Sequence, residues 1–339
     1  MDAPLDGLLV NQMKFVYKVA TPLTLQAYKG SALRGALMGA LRDRFCPLPA
    51  SKGDELLCAA CSSVGNCPVA QIMSNRDESE LVGRGHELPH PYVIEPPLTS
   101  QTSYQPGEQL EFGLTFFGDA RATFPYLLTA AREMGMQGLG LGHEPGRMNL
   151  REVWAVNPLV GQQLRLYHHQ QTRVGLPEQG VKVAQVRAFA ATLPPDTLTV
   201  RLLTPTQLKA GGSLLQSGPV LSVLINRLLE RLWSLAVSCG LGEAEERSQQ
   251  LARLQAWRGS WPQLLATAGQ AAIANQGARW QELERYSSRA DAKLQMSGLV
   301  GEVRYVGDLA PLREVLAWGQ LTHVGKYAVA GNGWYELDC

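Results

Sequence analysis

Hydrophobic and polar residues alternate along several short segments, a period of two that is typical of β-strands. The clearest is Gln109–Phe117, in which Leu110, Phe112, Leu114 and Phe116 share one face. Elsewhere apolar residues recur at three- and four-residue spacing, which predicts helices that bury one face. In the N-terminal half the pattern predicts strands at Leu8–Thr21, Tyr92–Glu95, Gln109–Phe117 and Met148–Trp154, and helices at Ala32–Phe45 and Ala122–Met134.

The C-terminal half repeats this order of elements. Its pattern predicts strands at Val183–Ala190, Leu198–Leu203, Trp280–Arg289, Val300–Gly307 and Gly333–Leu337, and helices at 219–239 and Leu309–Trp318. The longer helix opens at Pro219 and ends before Gly240, the usual start and stop residues. Together the two halves predict an α+β chain of two tandem ferredoxin-like (RRM-like) βαββαβ domains.

We place the two domains at residues 1–157 and 183–339, joined by a basic connector at 158–182. The first carries a cysteine-rich insertion at 46–67, and the second carries a helical insertion at about Glu243–Gly277. Around the connector, basic residues outnumber Glu152 and Glu178, and two histidines adjoin them. The basic residues and histidines are Arg147, Arg151, Arg165, His168, His169, Arg173, Lys182 and Arg187. This stretch is either a solvated linker or a strip that faces RNA.

The chain of 339 residues has a net charge of +1, with 45% hydrophobic and 18% charged residues. These values are typical of a globular protein. Nucleic-acid-binding proteins usually carry a clear basic excess, so the overall charge does not favour that class. No apolar run reaches the length of a membrane span, and residues 1–16 lack the features of a secretory signal. The sequence therefore predicts a cytoplasmic protein with no membrane partner.

Four cysteines, Cys46, Cys58, Cys61 and Cys67, are spaced C-x11-C-x2-C-x5-C. Four thiolates in one loop suit tetrahedral Zn²⁺ and leave no open position, so the predicted site is structural. Disulfide pairing is the alternative, although it is uncommon in a cytosolic protein. An iron–sulfur cluster uses the same ligand set and stays open at this point.

A glycine-rich loop at residues 323–333 follows the last predicted helix. Gly325, Gly331 and Gly333 can take positive φ and let the backbone approach a partner closely. Exposed amides in such a loop suit phosphate, and Lys326 and His323 add two cationic donors. The alternative is a glycine-rich hairpin that closes a sheet. A nucleotide P-loop is excluded, because neither Ser nor Thr follows the Gly-Lys pair.

The first predicted helix begins after Ser31, a predicted N-cap. Gly35 and Gly39 share a face away from the leucine stripe. Each glycine costs a helix about 1 kcal/mol relative to alanine, so we expect that face to meet a closely approaching backbone of protein or RNA. Arg34 flanks the leucine stripe and Arg42 points away from it.

The sequence resembles the CRISPR repeat-RNA-processing endoribonucleases of the RAMP superfamily over most of its length. The segments that carry the resemblance occur in family order: KGSALRGALMGALR at the first helix, then LLTPTQLKAGG, WQELERYSSR, GLVGEV, THVGK and GNGWYEL. That family closes with a glycine-rich loop containing a basic residue, here Lys326 among Gly325, Gly331 and Gly333. Some of its members also carry a cysteine cluster after the first helix.

The resemblance implies metal-independent cleavage of precursor CRISPR RNA. A ribose 2′-OH attacks the adjacent phosphate, which leaves a 2′,3′-cyclic phosphate and a 5′-OH. A histidine suits the proton transfers, and lysine or arginine suits the developing charge. DNA would be inert because it lacks the 2′-OH. The implied partners are CRISPR repeat RNA or mature crRNA and other CRISPR effector subunits.

The chain departs from the family at the first helix, where the usual histidine is missing and Tyr28 and Lys29 stand instead. Either His323 serves as the catalytic histidine, with His86 or His90 next, or Tyr28 and Lys29 orient the RNA while arginine stabilises charge. The alternative for His323 is that it caps the end of the preceding element. The predicted RNA contacts are Arg34, Arg42, Arg147, Tyr286, Arg289, Gly325, Lys326, Gly331 and Gly333.

Two other functions stay open. The missing early histidine and the near-zero net charge favour a non-catalytic subunit that holds the 3′ handle of a CRISPR RNA, whereas the nearly full-length resemblance opposes it. A zinc-stabilised structural adaptor would explain the cysteines. It would leave the glycine-rich loops at 138–146 and 323–333 without a purpose.

Overall fold

The computed structural model describes residues 4–46, 61–73, 88–141, 144–177, 180–242, 244–287 and 292–338. The α-helices within these ranges are α1 (Gly30–Phe45), α2 (Pro68–Met73), α3 (Ala120–Gln137), α4 (Val183–Thr192), α5 (Leu221–Cys239), α6 (Ala244–Gln270) and α7 (Arg313–Thr322). Short 3-10 helices lie at Val64–Asn66, Ala310–Leu312 and Ala328–Ala330. The described residues form two compact units, the first within Val10–Asp77 and His90–Gly180, and the second within Met1–Leu9, Glu78–Pro89 and Val181–Cys339.

The first unit is built on an antiparallel sheet of five strands. They are β1 (Val10–Val19), β3 (Tyr92–Glu95), β5 (Gln109–Phe117), β6 (Met148–Asn157) and β7 (Gln162–His168), in the order β3-β5-β1-β6-β7. The short strands β2 (Leu23–Thr24) and β4 (Ser103–Tyr104) pair separately. With α1 and α3, the first four strands form the βαββαβ unit of a ferredoxin-like fold. β7 widens that sheet by one edge strand.

The core of the first unit lies between this sheet and the helices α1 and α3. Alternate residues of β1 and β5 point toward the helices, and the rings of Phe15 and Phe112 stack at 5.2 Å between centroids. The Tyr17 hydroxyl donates to the Ala131 carbonyl of α3 at 2.9 Å. The leucine stripe of α1 is fully buried: Leu33, Leu37 and Leu41. Burial of each such side chain stabilises the unit by about 1.5–3 kcal/mol.

The second unit repeats the topology. Its sheet contains β8 (Thr197–Thr206), β11 (Ala272–Gln276), β12 (Arg279–Gln281), β15 (Gly298–Val306) and β16 (Tyr335–Asp338), in the order β11-β15-β8-β16 with β12 also on β15. Two hairpins lie outside it, β9 (Lys209–Ala210) with β10 (Ser213–Leu214), and β13 (Glu284–Ser287) with β14 (Ala292–Gln295). The helices α5 and α7 complete the second βαββαβ unit. The predicted fold class is therefore confirmed.

The prediction of a strand at Val183–Ala190 is wrong, because this segment lies in α4. Its apolar residues Val183, Val186 and Ala190 are buried and stand at helical spacing. A run this short carries both a weak period of two and a helical one, and the packing of α4 against α7 selects the helix.

Three further segments differ from the sequence analysis. The stretch 158–182, expected to be a connector, contains β7, which is paired with β6. Strand β11 occupies the end of the stretch 243–277, which was expected to be helical and otherwise holds α6. Ser31 lies inside α1, which begins two residues earlier than an N-cap at Ser31 requires; Lys29 is the capping residue and makes no side-chain cap.

Candidate nucleic-acid interface

The start of α1 holds Tyr28 and Lys29, two of the predicted catalytic residues. Lys29 is 0% exposed, and its Nζ donates to the carbonyl oxygens of Ala27 at 3.0 Å and Thr99 at 2.8 Å. Burial lowers the pKa of Lys29 and raises the pKa of the half-buried Tyr28. The Lys29 ammonium thus ties the residues before β4 to the start of α1 and presents no surface to an RNA.

Both predicted RNA-binding arginines of α1 are half-buried. The Arg34 Nε donates to the Tyr92 hydroxyl at 3.0 Å. The Arg42 Nε is enclosed and meets no acceptor among the described residues. No atom lies within 4 Å of a Cβ built on Gly35 or Gly39, apart from the helix's own backbone. The closely approaching backbone expected on this glycine face is therefore not supplied by the described part of the chain.

The glycine-rich loop needs its glycines. Gly325, Gly331 and Gly333 have φ values of +84°, +95° and +72°, in the left-handed region that side chains avoid. A Cβ on Gly325 would overlap the Gln207 carbonyl oxygen, and one on Gly333 would overlap the Val324 carbonyl oxygen. These glycines therefore serve tight packing of the loop against its own unit. The loop is not a hairpin, since its residues form turns and the 3-10 helix Ala328–Ala330.

Most amides of this loop are used inside the protein. Seven of them donate to internal acceptors: those of His323, Val324, Lys326, Ala330, Gly331, Asn332 and Gly333. The amides of Gly325, Tyr327, Ala328 and Val329 donate to no acceptor within the described residues. The Lys326 side chain is exposed, with its Nζ 4.8 Å from the centre of the Tyr327 ring. The loop is thus a fixed support that holds one exposed cation, Lys326.

His323 lies at the end of α7 and is 0% exposed. Its amide donates to the Gly319 carbonyl at 3.0 Å, and its Nδ1 lies 3.2 Å from the Asn332 carbonyl oxygen. Its ring stacks on Trp334, with 5.9 Å between centroids and 2° between planes. Burial, with a further contribution from the Arg231 guanidinium, lowers the pKa of His323 to about 3.

This environment does not suit a general base. The His323 ring has no surface to meet a ribose hydroxyl, and at neutral pH it is an uncharged ring enclosed by packing. It therefore adds no cation to the loop. The geometry agrees instead with the alternative role, in which His323 ends the preceding helix.

Two other predicted residues of the first unit lie at its surface. Arg147 is exposed, while its amide donates to the Thr21 hydroxyl at 2.8 Å and so fixes the chain entering β6. His90 is half-buried, and its Nδ1 lies 2.8 Å from the Met73 carbonyl oxygen. His86 lies outside the described residues.

The remaining predicted RNA contacts belong to the second unit. Tyr286 lies on β13, opposite Lys293 of β14. Arg289 lies outside the described residues. The predicted contacts therefore fall into two groups, one in the first unit and one in the second.

The cysteine prediction is described only in part, since Cys58 lies outside the described residues. Cys46 follows α1, Cys61 precedes the first 3-10 helix and Cys67 precedes α2. Among the described residues, no three histidine, cysteine or acidic side chains stand close enough together to hold a metal ion. The zinc site stays a prediction.

Two family models match the chain. Residues 200–335 match the model described as CRISPR-associated endoribonuclease Cas6. Residues 8–179, about half of the chain, match a model described as an N-terminal domain. The chain belongs to the Cas6-like CRISPR-associated proteins. No curated protein that was compared gives a significant match.

Solved structures of Cas6 proteins share the fold of this Cas6-like chain. A Cas6 product complex has a TM-score of 0.53 at 16% identity, over 97% of this chain and 100% of that one. Thermus thermophilus Cas6 has a TM-score of 0.51 at 12% identity, over 98% and 99%. A partial Cas6-RT-Cas1–Cas2 complex has a TM-score of 0.56 at 11% identity over 98% of this chain. This chain spans 46% of the chain matched there, and 29% of the one matched in another structure of that complex.

The two family matches divide between the two groups of predicted contacts. The Cas6 endoribonuclease match contains His323, Lys326 and the glycine-rich loop, and the N-terminal match contains the start of α1 and the cysteines. Within the described residues, no helix of this Cas6-like protein has the length and apolar character that crossing a membrane requires.

Proposed function

We propose that this Cas6-like protein binds CRISPR repeat RNA and cleaves precursor crRNA without a catalytic metal. In this reaction the 2′-OH attacks the neighbouring phosphate, and the products carry 2′,3′-cyclic phosphate and 5′-OH ends. The observation that carries the proposal is the exposed Lys326 on its rigid glycine-rich support, within the segment that matches the Cas6 endoribonuclease family. A fixed cation suits a phosphate that gains charge during the reaction.

Proton transfer is assigned to groups other than His323. Among the named candidates that the structure describes, Tyr28 and His90 keep part of their surface exposed, whereas His323 and Lys29 are enclosed. Lys29 would act on the RNA only by holding the start of α1 in place.

The burial of His323 and Lys29 also favours a second function. If neither His323 nor Lys29 reaches the RNA, the protein can hold a CRISPR RNA handle within an effector complex without cutting it. Repeat RNA, mature crRNA and other effector subunits are the partners in either case. The four-cysteine zinc site is a structural part of this proposal, and metal analysis of the purified protein would test it.

The decisive experiment is incubation of the purified protein, in EDTA, with labelled repeat RNA and with the same RNA carrying one 2′-deoxy residue at the cut position. We expect discrete fragments from the first RNA and none from the second, because only the first has the attacking hydroxyl. The 5′ fragment should carry a cyclic phosphate. Binding of both RNAs without cleavage would instead establish the RNA-holding function.

Replacing Lys326 with alanine should weaken binding of every RNA tested, whatever its sequence. One phosphate contact fewer lowers the slope of log K against log salt by about 0.7–0.9. The measurement is fluorescence anisotropy at several salt concentrations. Arg121→Ala, which removes one exposed charge from α3, is the matched control. Equal slopes for the two variants would rule out Lys326 as a phosphate contact.

A further inference from the structure

The sheet of the first unit has a second face that its helices do not cover. On β1, Met13, Phe15 and Tyr17 point to the helices, so Lys14, Val16 and Lys18 lie on the opposite side. We call this side the open face. Its β6 residues lie in the strand predicted at Met148–Trp154, whereas its β7 residues were expected in the connector 158–182, because a strand of mixed polar residues has no regular apolar period.

Strand register aligns the open-face side chains in rows. Lys14 is paired with Trp154 of β6, and Trp154 is paired with Arg165 of β7. The Arg165 guanidinium lies 5.6 Å from the centre of the Trp154 ring. Paired residues of neighbouring strands share a face, so a lysine, an aromatic ring and an arginine lie side by side across three strands.

The next row contains the acidic residues. Val16 is paired with Glu111 of β5 and Glu152 of β6, and Glu152 is paired with His168 of β7. Glu152 accepts a hydrogen bond from the Trp154 indole at 2.9 Å and lies 3.7 Å from the His168 Nε2. The Glu152 carboxylate therefore fixes the orientation of Trp154.

Of the four cations on this face, two have an acidic partner and two have none among the described residues. Lys14 pairs with Glu111 at 3.7 Å, and Arg165 pairs with Glu152 at 3.5 Å. Lys18 and Arg151 pair with no carboxylate within the described residues. Arg151 lies at a β-bulge, where the register of β1 against β6 shifts and an extra residue is aimed outward.

These side chains surround one open depression of about 470 Å³. Its lining residues include Lys14, Lys18, Gln109, Glu111, Arg151, Glu152, Trp154, Gln163, His168 and His169. The lining combines unpaired cations, an oriented aromatic ring and amide and imidazole groups. It does not resemble an apolar ligand pocket, which is lined mainly by hydrophobic side chains.

We infer that the open face binds single-stranded RNA, with Lys18 and Arg151 on phosphates and Trp154 stacked on a base. Single-stranded RNA needs both cations that follow its backbone and aromatic surfaces for its unstacked bases, and the open face supplies both. A duplex hides its bases and would leave Trp154 without a stacking partner. The inference rests on the proposed function for the identity of the ligand as RNA, and it adds a site in the first unit, separate from Lys326.

The test measures binding of a fluorescent 12-nucleotide oligouridylate, which has no secondary structure. We expect about tenfold weaker binding for the Lys18→Glu/Arg151→Glu double variant, which loses both phosphate contacts. We expect the same for Trp154→Ala, which loses the stacking of a base on the indole. The charge-matched control for the double variant is Arg121→Glu/Arg132→Glu, on exposed positions of α3. Thermal unfolding of each variant checks that it is folded.

A second measurement uses the unaltered protein. Photocrosslinking of an oligouridylate that contains 5-iodouridine should label peptides that span residues 151–169. Crosslinks confined to other segments would overturn the inference, and so would affinity of the double variant within twofold of its control.

Failure of this inference differs from failure of the proposed function. Cleavage of repeat RNA in EDTA, with oligouridylate binding unaffected by the open-face variants, sinks the open-face site alone. Open-face binding by a protein that cuts no repeat RNA sinks the endoribonuclease and leaves the site in place.

Discussion

Replacing Gly333 with alanine should lower the free energy of unfolding of the second unit by at least about 3 kcal/mol. The residue has a φ of +72°, which costs an alanine about 1–2 kcal/mol. Its Cβ would also overlap the Val324 carbonyl oxygen, and the Val324 amide already donates to the Gly333 carbonyl. The atoms that the Cβ overlaps belong to the Val324 backbone, so the overlap can be removed only if the loop backbone moves. Chemical denaturation of the purified variant measures the effect.

The matched control is alanine at Gly35, in the middle of α1. No atom outside the helix backbone lies within 4 Å of its added Cβ, so alanine should stabilise α1 by about 0.5–1 kcal/mol. Loss of RNA affinity in this variant, with stability raised, would place RNA against the glycine face of α1. Equal stability changes at Gly35 and Gly333 would contradict the account of the glycine-rich loop as a tightly packed support.

The fold could be predicted from the sequence because its central strands carry hydrophobic side chains mainly on one face. In Gln109–Phe117 the hydrophobic residues Leu110, Phe112, Leu114 and Phe116 occupy alternate positions, and Met13, Phe15, Tyr17 and Val19 do so in β1. Two strand–helix–strand repeats then allow few topologies. Where the period was weak, as in Val183–Ala190, two structures were consistent with the sequence and only tertiary packing decided between them.

The candidate site was less predictable, because burial is a property of the assembled unit. Nothing in the letters THVGK indicates that Trp334, eleven residues later, will cover the His323 ring. Lys29 is a comparable case, since its two acceptors include the Thr99 carbonyl, seventy positions away. The open face was predicted only in part: Arg151, Arg165 and His168 belong to the stretch interpreted as either a linker or a strip that faces RNA. Lys14, Lys18 and Trp154 join them only through strand register.

Acid should destabilise the second unit through His323. The folded state holds its pKa at about 3, whereas an exposed histidine has a pKa near 6.5, so the unfolded state binds the extra proton first. The resulting stability is fully present above pH 6.5 and is lost as pH falls from 6.5 toward 3, at up to about 1.4 kcal/mol per pH unit. Urea denaturation at pH 8 and pH 5 should show this loss.

His323→Gln separates the structural role from the catalytic one. The variant should lose much of this pH dependence and be less stable at pH 8, because the ring stacked on Trp334 is gone. His90→Gln, at a half-buried histidine, is the control and should keep the slope. Cleavage by the folded fraction of His323→Gln should retain the pH profile of the unaltered protein, since an enclosed neutral ring transfers no proton to RNA. If cleavage were instead abolished at unchanged stability, His323 would be the general base, and the loop would have to open before each turnover.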